Sequence, residues 1–317
     1  IGLRPIAEHI RGLKELGAEI IIEEGIVKAK LIGNRKKLYG KNIKLTCPSV
    51  GATETLIMAA SLAEGRTVIE NAAREPEVQD LCQMLNKMGA KIYGSGKEKI
   101  IIDGVNKLNG CTHKVIPDRI EAGTFLIAAA ATSSTLTISP AVPDHLEEVI
   151  NKLRESGSKI TINENSITIR GGEIKAVDVN TAPFPGFPTD LQAPFTALMS
   201  IANGESKITE TIFENRMNHI NLLNKMGAKI IVDKNKAYIN GVKTLNGMEL
   251  IGSDLRSSAA LIIAAIIAKK TSRIYGLEHL DRGYESFELK LSKLGVEVQR
   301  DFGGSIITEL NSDLKAA

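Results

Sequence analysis

The chain has 317 residues, 43% of them apolar, enough for a buried core and, by length, for two domains. A formal net charge of +3 on a chain of this size gives no ground for a nucleic-acid or membrane partner, and the longest apolar run, Ala259 to Ala268, is too short to span a bilayer. Three cysteines, Cys47, Cys82 and Cys111, form no C-x-x-C pair and point to a reducing compartment, while five scattered histidines lack metal-ligand spacing.

The first element is a turn, Ile1-Gly-Leu-Arg4-Pro5, entering a helix that ends at Leu13-Lys-Glu-Leu-Gly17, with a strand pattern after it. Arg35-Lys36-Lys37, with Lys41 and Lys44, reads as a solvated turn. Ser49 is a capping-type residue heading Val50-Gly51-Ala-Thr and the apolar run Leu56-Ile-Met-Ala-Ala, which predicts a buried helix. After the strand Thr67-Val-Ile-Glu, Val78, Leu81, Leu85 and Met88 fall on one face of an amphipathic helix that ends at Gly89. Gly94-Ser-Gly96-Lys97 looks like part of a phosphate-binding loop, but Lys91 stands where the earlier glycine is required. It also lies between strand patterns, so it is a turn.

The same succession returns. Buried helices are expected after Asp118-Arg-Ile-Glu, Thr189-Asp190-Leu-Gln and Ser253-Asp-Leu-Arg-Ser, each headed by a capping-type residue. Strands follow at Thr135-Leu-Thr-Ile, Lys207-Ile-Thr-Glu and Ser272-Arg-Ile-Tyr. Amphipathic helices then end at Gly157, Gly227 and Gly295, and a hairpin such as Lys229-Ile-Ile-Val-Asp with Lys236-Ala-Tyr-Ile-Asn closes the unit. The five helix-ending glycines lie 68 to 72 residues apart, so the chain is built from a repeat of about seventy residues. Four repeats are complete. Residues 1 to about 40 carry only the second half of a fifth, so the natural chain is expected to start earlier.

Chemistry is expected at the helix heads, where free N–H groups and partial positive charge attract phosphate and carboxylate. Polar residues cluster at these junctions: Arg4, Asp190, Glu210 with Glu214-Asn-Arg216, Asp254-Leu-Arg256, and Asp281-Arg282-Gly-Tyr-Glu285. Taken singly, each also reads as a cap or a surface ion pair. Taken together, several arginines at repeat junctions suit a ligand rich in phosphate and carboxylate.

Arg4-Pro5, Pro48-Ser-Val-Gly-Ala-Thr53, Glu70-Asn-Ala-Ala-Arg-Glu-Pro-Glu77, Pro117-Asp-Arg-Ile-Glu121, Phe187-Pro-Thr-Asp190, Phe213-Glu-Asn-Arg216, Asp254-Leu-Arg256 and Asp281-Arg-Gly-Tyr-Glu285 occur in an order that resembles the UDP-N-acetylglucosamine 1-carboxyvinyltransferase family, from Ile1 to about Val298. The resemblance implies an α/β fold, the inside-out α/β barrel of enolpyruvyl transferases, made of βαβαββ-like units. It places residues 1–114 in an incomplete first domain and 115–317 in a second. The implied reaction moves the enolpyruvyl group of phosphoenolpyruvate to the 3′-hydroxyl of UDP-N-acetylglucosamine, in the cytoplasm, as the first committed step of peptidoglycan synthesis, with no metal or other cofactor.

By motif match, Asp190 is the base or proton relay at the sugar hydroxyl. Arg4 and Arg282 hold the phosphate of phosphoenolpyruvate, and Arg216 and Arg256 support its carboxylate. Ser49, Val50 and Gly51 bind the diphosphate, and Arg4, Pro5, Ile6 and Ile212 line the uridine and sugar pocket. The family's loop Cys or Asp, the acid at the methylene carbon, falls before Ile1, so residues 1–317 alone are expected to lack useful activity. Ala7 stands where the family usually has an Asp touching uracil. Glu8 is rotated by about 100° on the helix and is a poor substitute. Cys47 reads as a small buried residue. Two alternatives remain: a non-catalytic relative binding a nucleotide sugar, and the enzyme that transfers enolpyruvyl to shikimate 3-phosphate.

Overall fold

The computed structural model describes residues 6–301 and 304–309. The chain divides into two compact units, Ile1–Ile116 and Pro117–Ala317.

In the first unit, helix α1 (Ala7–Glu15) leads into a two-stranded antiparallel hairpin, β1 (Ala18–Glu23) and β2 (Ile26–Leu31). A full repeat follows: β3 (Asn42–Lys44), α2 (Val50–Ser61), β4 (Arg66–Glu70), α3 (Pro76–Lys87), β5 (Lys91–Tyr93) and β6 (Lys99–Asp103). Its sheet has the order β3-β4-β6-β5, with β3 parallel to β4 and the other pairs antiparallel. A parallel pair cannot be joined by a tight turn, so α2 is the crossover between β3 and β4. The Gly94–Lys97 segment is the turn between β5 and β6.

The second unit holds three repeats. The first runs α4 (Arg119–Ala131), β7 (Thr135–Ile138), a 3-10 turn (Pro143–Leu146) continuing into α5 (Glu147–Glu155), β8 (Lys159–Asn163) and β9 (Ser166–Arg170). The next comprises β10 (Val179–Asn180), a 3-10 turn (Thr189–Leu191) running into α6 (Gln192–Met199), β11 (Glu205–Thr209), α7 (His219–Lys225), β12 (Lys229–Asp233) and β13 (Lys236–Asn240). The last comprises β14 (Glu249–Ile251), α8 (Leu255–Ile267), β15 (Ser272–Tyr275), α9 (Leu277–Leu280), α10 (Phe287–Lys293), β16 (Glu297–Arg300) and β17 (Ile306–Glu309). The sheets β10-β11-β13-β12 and β14-β15-β17-β16 repeat the order seen in the first unit, while β7-β9-β8 has three strands. Among the described residues the sheets are open, and none closes into a barrel. No helix among them is long and apolar enough to cross a membrane.

All five repeat glycines have a left-handed backbone, with φ between +88° and +106°. Each glycine N–H bonds to the carbonyl three residues back, and in four copies the next N–H reaches the carbonyl five back, as Ala90 does to Leu85 and Ala228 to Leu223. This arrangement satisfies carbonyls that would otherwise be orphaned at the helix end. The short first strands β3, β10 and β14 went unread in the sequence, because two or three residues are too few to show alternation.

Helices α4, α6 and α8 pack on one another in the middle of the second unit. Leu126, Phe195, Leu198 and Leu261 are fully buried there, and Phe187 meets Phe195 edge-on at 5.3 Å. Each such side chain contributes about 2 kcal/mol of burial. Helix α2 departs from the expectation of all-round burial. Ala52, Thr53, Leu56, Ile57, Ala60 and Ser61 are buried, but Met58 and Leu62 are 50% and 42% exposed. It packs on α1, α3 and its own sheet, whereas each central helix of the second unit has two others like itself beside it.

Candidate active site

Helices α6 and α8 begin alike, with Thr189-Asp190-Leu191 and Ser253-Asp254-Leu255, yet their two aspartates do different things. Asp254 caps α8: its Oδ1 accepts from the Arg256 and Ser257 N–H groups at 3.0 and 2.9 Å, and its Oδ2 from Ser257 Oγ at 2.6 Å. Burial pushes the Asp254 pKa up, but these donors outweigh it and leave the group below its ordinary range. Asp190 caps nothing. The head of α6 has no side-chain cap, and the Asp190 carboxylate is free for other partners.

Those partners are two arginines. Arg216 Nη2 lies 2.6 Å from Asp190 Oδ1, and Arg256 Nη2 lies 2.5 Å from Oδ2. Burial alone raises the Asp190 pKa; the charges and hydrogen bonds of Arg256 and Arg216 overcome it and hold the group below the usual carboxylate range. In this state Asp190 is a weak base. One guanidinium exceeds what one carboxylate needs, so the site carries surplus positive charge for an anionic ligand.

Both arginines are braced from behind. Arg216 Nη1 donates to Thr189 Oγ1 at 2.7 Å, and Thr189 donates in turn to Glu210 Oε2 at 2.7 Å. Glu210, 2% exposed, uses its other oxygen for Thr181 Oγ1 and the N–H groups of Ile212 and Phe213, at 3.0, 2.7 and 3.1 Å. The Arg216 guanidinium also lies over the Phe213 ring, 4.7 Å from its centroid. Arg256 Nη1 bonds to Tyr284 Oη at 3.3 Å, and Tyr284 Oη to Thr124 Oγ1 at 2.8 Å. His219, buried at the head of α7, has its pKa lowered to about 4 by burial, with Asp254 pulling it up and Arg216 pushing it down. It is therefore neutral, and its Nε2 has no hydrogen-bond partner among the described residues.

The structure thus brings Asp190, Arg216 and Arg256 together. Ile212 sits in the loop that Glu210 pins and is 38% exposed. Arg282, in the turn after α9, is exposed and makes no hydrogen bond or ion pair among the described residues, while its neighbour Asp281 pairs with Arg300 at 2.7 Å. Thr189, Glu210, Thr124 and Tyr284 support the arginines in ways the sequence did not announce. Thr189, read as a cap, is a bridge between Arg216 and Glu210, and Asp254 rather than Ser253 caps α8.

In the first unit, Ser49 caps α2 by accepting from the Ala52 N–H at 3.3 Å, which leaves the Val50 and Gly51 amides at the helix head. A Cβ on Gly51 would lie 3.0 Å from His9 Nε2, so backbone and imidazole approach closely there. Arg4 and Pro5 lie outside the described residues, and Ile6 is exposed. Glu8 is committed elsewhere: it binds Arg11 and both the N–H and hydroxyl of Thr46. Its pKa falls to about 2, with the Arg11 hydrogen bond the largest cause. Cys47 is exposed, contrary to the expectation of burial, because it lies in the surface loop between β3 and Ser49; Cys82 is the buried cysteine.

The sequence matches the EPSP synthase (3-phosphoshikimate 1-carboxyvinyltransferase) family over residues 1–291. The UDP-N-acetylglucosamine 1-carboxyvinyltransferase of Prochlorococcus marinus strain MIT 9312 is 80% identical over 309 residues, covering 98% of this chain and 68% of that protein. Its namesake from strain NATL2A is 55% identical over 323 residues, covering 99% and 70%. The chain therefore spans about two thirds of the length of these relatives. Among solved structures, the enolpyruvyl transferase NikO from Streptomyces tendae superposes with a TM-score of 0.83 at 22% identity, covering 97% of this chain and 74% of that one. EPSP synthase from Acinetobacter baumannii gives 0.70 at 20% identity, covering 96% and 72%. The fold is that of the enolpyruvyl transferases, and by sequence the chain belongs to the UDP-N-acetylglucosamine 1-carboxyvinyltransferase family.

Proposed function

We propose that the protein transfers the enolpyruvyl group of phosphoenolpyruvate to the 3′-hydroxyl of UDP-N-acetylglucosamine, releasing phosphate, in the cytoplasm and for peptidoglycan synthesis. The observation that carries this reading is the carboxylate of Asp190 held between Arg216 and Arg256. The names of the relatives support UDP-N-acetylglucosamine as the acceptor of a carboxyvinyl group. In the addition, the sugar oxygen bonds to C2 of phosphoenolpyruvate while C3 gains a proton. In the elimination, phosphate leaves C2 and C3 gives up a proton, so the enol is restored. Asp190 takes the proton of the sugar hydroxyl. Its low pKa makes it a poor base until the carboxylate of phosphoenolpyruvate engages Arg216 or Arg256; part of the clamp is then spent on the ligand and Asp190 gains basicity.

In this reading Arg4 and Arg282 take the phosphate of phosphoenolpyruvate. Ser49, Val50 and Gly51 take the diphosphate at the head of α2, where unpaired N–H groups suit an anion. Arg4, Pro5, Ile6 and Ile212 border the nucleotide sugar. Residues 1–114 and 115–317 act as two domains. Titration calorimetry with UDP-N-acetylglucosamine and then phosphoenolpyruvate tests the reading. Binding of shikimate 3-phosphate in place of the nucleotide sugar, or of neither, overturns it.

A further inference from the structure

The hydroxyl chain behind Arg256 has a fixed polarity. Thr124 Oγ1 lies 2.8 Å from the Ile120 carbonyl, one turn back in α4, and gives its proton there. With that proton spent, Thr124 Oγ1 accepts from Tyr284 Oη, so the phenol donates to Thr124. The lone pairs of the phenol then face Arg256 Nη1. Tyr284 is 1% exposed, so water does not compete for them. Burial raises the Tyr284 pKa, which keeps the phenol protonated and the direction of the chain unchanged. The ring is held against Phe287, 4.9 Å between centroids, and Phe287 against Phe125 at 5.1 Å.

The same short turn carries Arg282. Its backbone is seated on the first turn of α8, since a Cβ on Gly283 would lie 2.9 Å from the Leu255 side chain. The N–H groups of Gly283 and Tyr284 both return to the Leu280 carbonyl, which closes the turn on α9. Arg282 itself is exposed and unpaired among the described residues, so any anion it grips pulls on a turn anchored on one side by the Asp281–Arg300 pair and on the other by Tyr284, which alone leads on to Arg256.

We propose that Tyr284 is a positioning residue: it sets Arg256 against Asp190 and ties that ion pair to the turn carrying Arg282, so that an anion held by Arg282 alters the proton affinity of Asp190. This deepens the function proposed above and rests on it for the roles of Asp190 and Arg282. A core tyrosine with only a packing role would leave Asp190 unaffected when its hydroxyl is removed. A coupling tyrosine would not.

The test follows the Asp190 side-chain carbon by 13C NMR across pH in the full chain, with and without inorganic phosphate. Wild type should titrate below the ordinary carboxylate range. Tyr284→Phe should raise the midpoint by about one unit, a tenfold gain in proton affinity. Phosphate should move the wild-type midpoint and leave that of Tyr284→Phe in place. A midpoint that is unchanged or lowered in a folded Tyr284→Phe protein overturns the proposal. Thr124→Val, which removes the acceptor holding the phenol, should shift the midpoint upward as well. It decides the matter in the same way where Tyr284→Phe does not fold. The titration needs no substrate. A wild-type chain that binds neither phosphoenolpyruvate nor UDP-N-acetylglucosamine therefore defeats the proposed function without touching this result, and a silent Tyr284→Phe defeats the coupling in a chain that binds both.

Discussion

Asp190 and Arg256 stand at the heads of consecutive repeat helices, 66 residues apart in sequence, and meet at 2.5 Å. Replacing Asp190 with Asn removes the proposed base and leaves two guanidinium groups facing a neutral amide. Phosphate release by the active enzyme should fall about 10²- to 10⁴-fold, as is usual for loss of a general base. Binding of UDP-N-acetylglucosamine should persist, measured by calorimetry on the same variant.

Acid should destabilise the second unit through His219. Its folded pKa of about 4 lies below the unfolded value of 6.5, so the unfolded chain binds a proton that the folded chain refuses. This cost is absent above pH 6.5, grows as pH falls, and is complete below pH 4. It amounts to about 3 kcal/mol, because one unit is worth about 1.4 kcal/mol. Urea unfolding of wild type and His219→Gln at pH 7 and pH 4.5 measures it, and the variant should lose less stability between the two.

Glu210 is a buried acceptor for four donors: two threonine hydroxyls and two backbone N–H groups. Glu210→Ala orphans them all and should lower stability by about 3 kcal/mol or more. It should also loosen the Ile212–Phe213 loop, visible as faster amide exchange at those two positions.

Thiol labelling separates the cysteines. Cys47 and Cys111 are exposed, whereas Cys82 is buried and burial pushes its thiol pKa up. A maleimide at neutral pH should label the first two in the folded chain and reach Cys82 only after denaturation.

The repeat and most element positions were legible because they rest on local rules. A left-handed glycine after an amphipathic stretch is the same signal in all five copies, and all five have positive φ. The burial of α2 was misread because its apolar sequence matches that of α8 while its neighbours do not: burial belongs to the packing, not to the helix alone. Asp190 shows the same limit at the site. Its string is nearly that of Asp254, and nothing local separates a capping aspartate from one gripped by two arginines. The comparison of repeats was the available clue, since Asp254 is followed two residues on by Arg256 and Asp190 by Gln192. Glu210, Thr124 and Tyr284 were not identified as braces because their partners lie 21 to 160 residues away.

The shared glycine ending has a consequence for how such a protein acquires chemistry. Because the second helix of every module stops in the same way, the hairpin that closes each copy is launched by one local signal, and the start of the first helix is left free to vary. In that start, one copy spends its aspartate, Asp254, on closing its own helix, while the preceding copy offers Asp190 across the unit to two guanidinium groups.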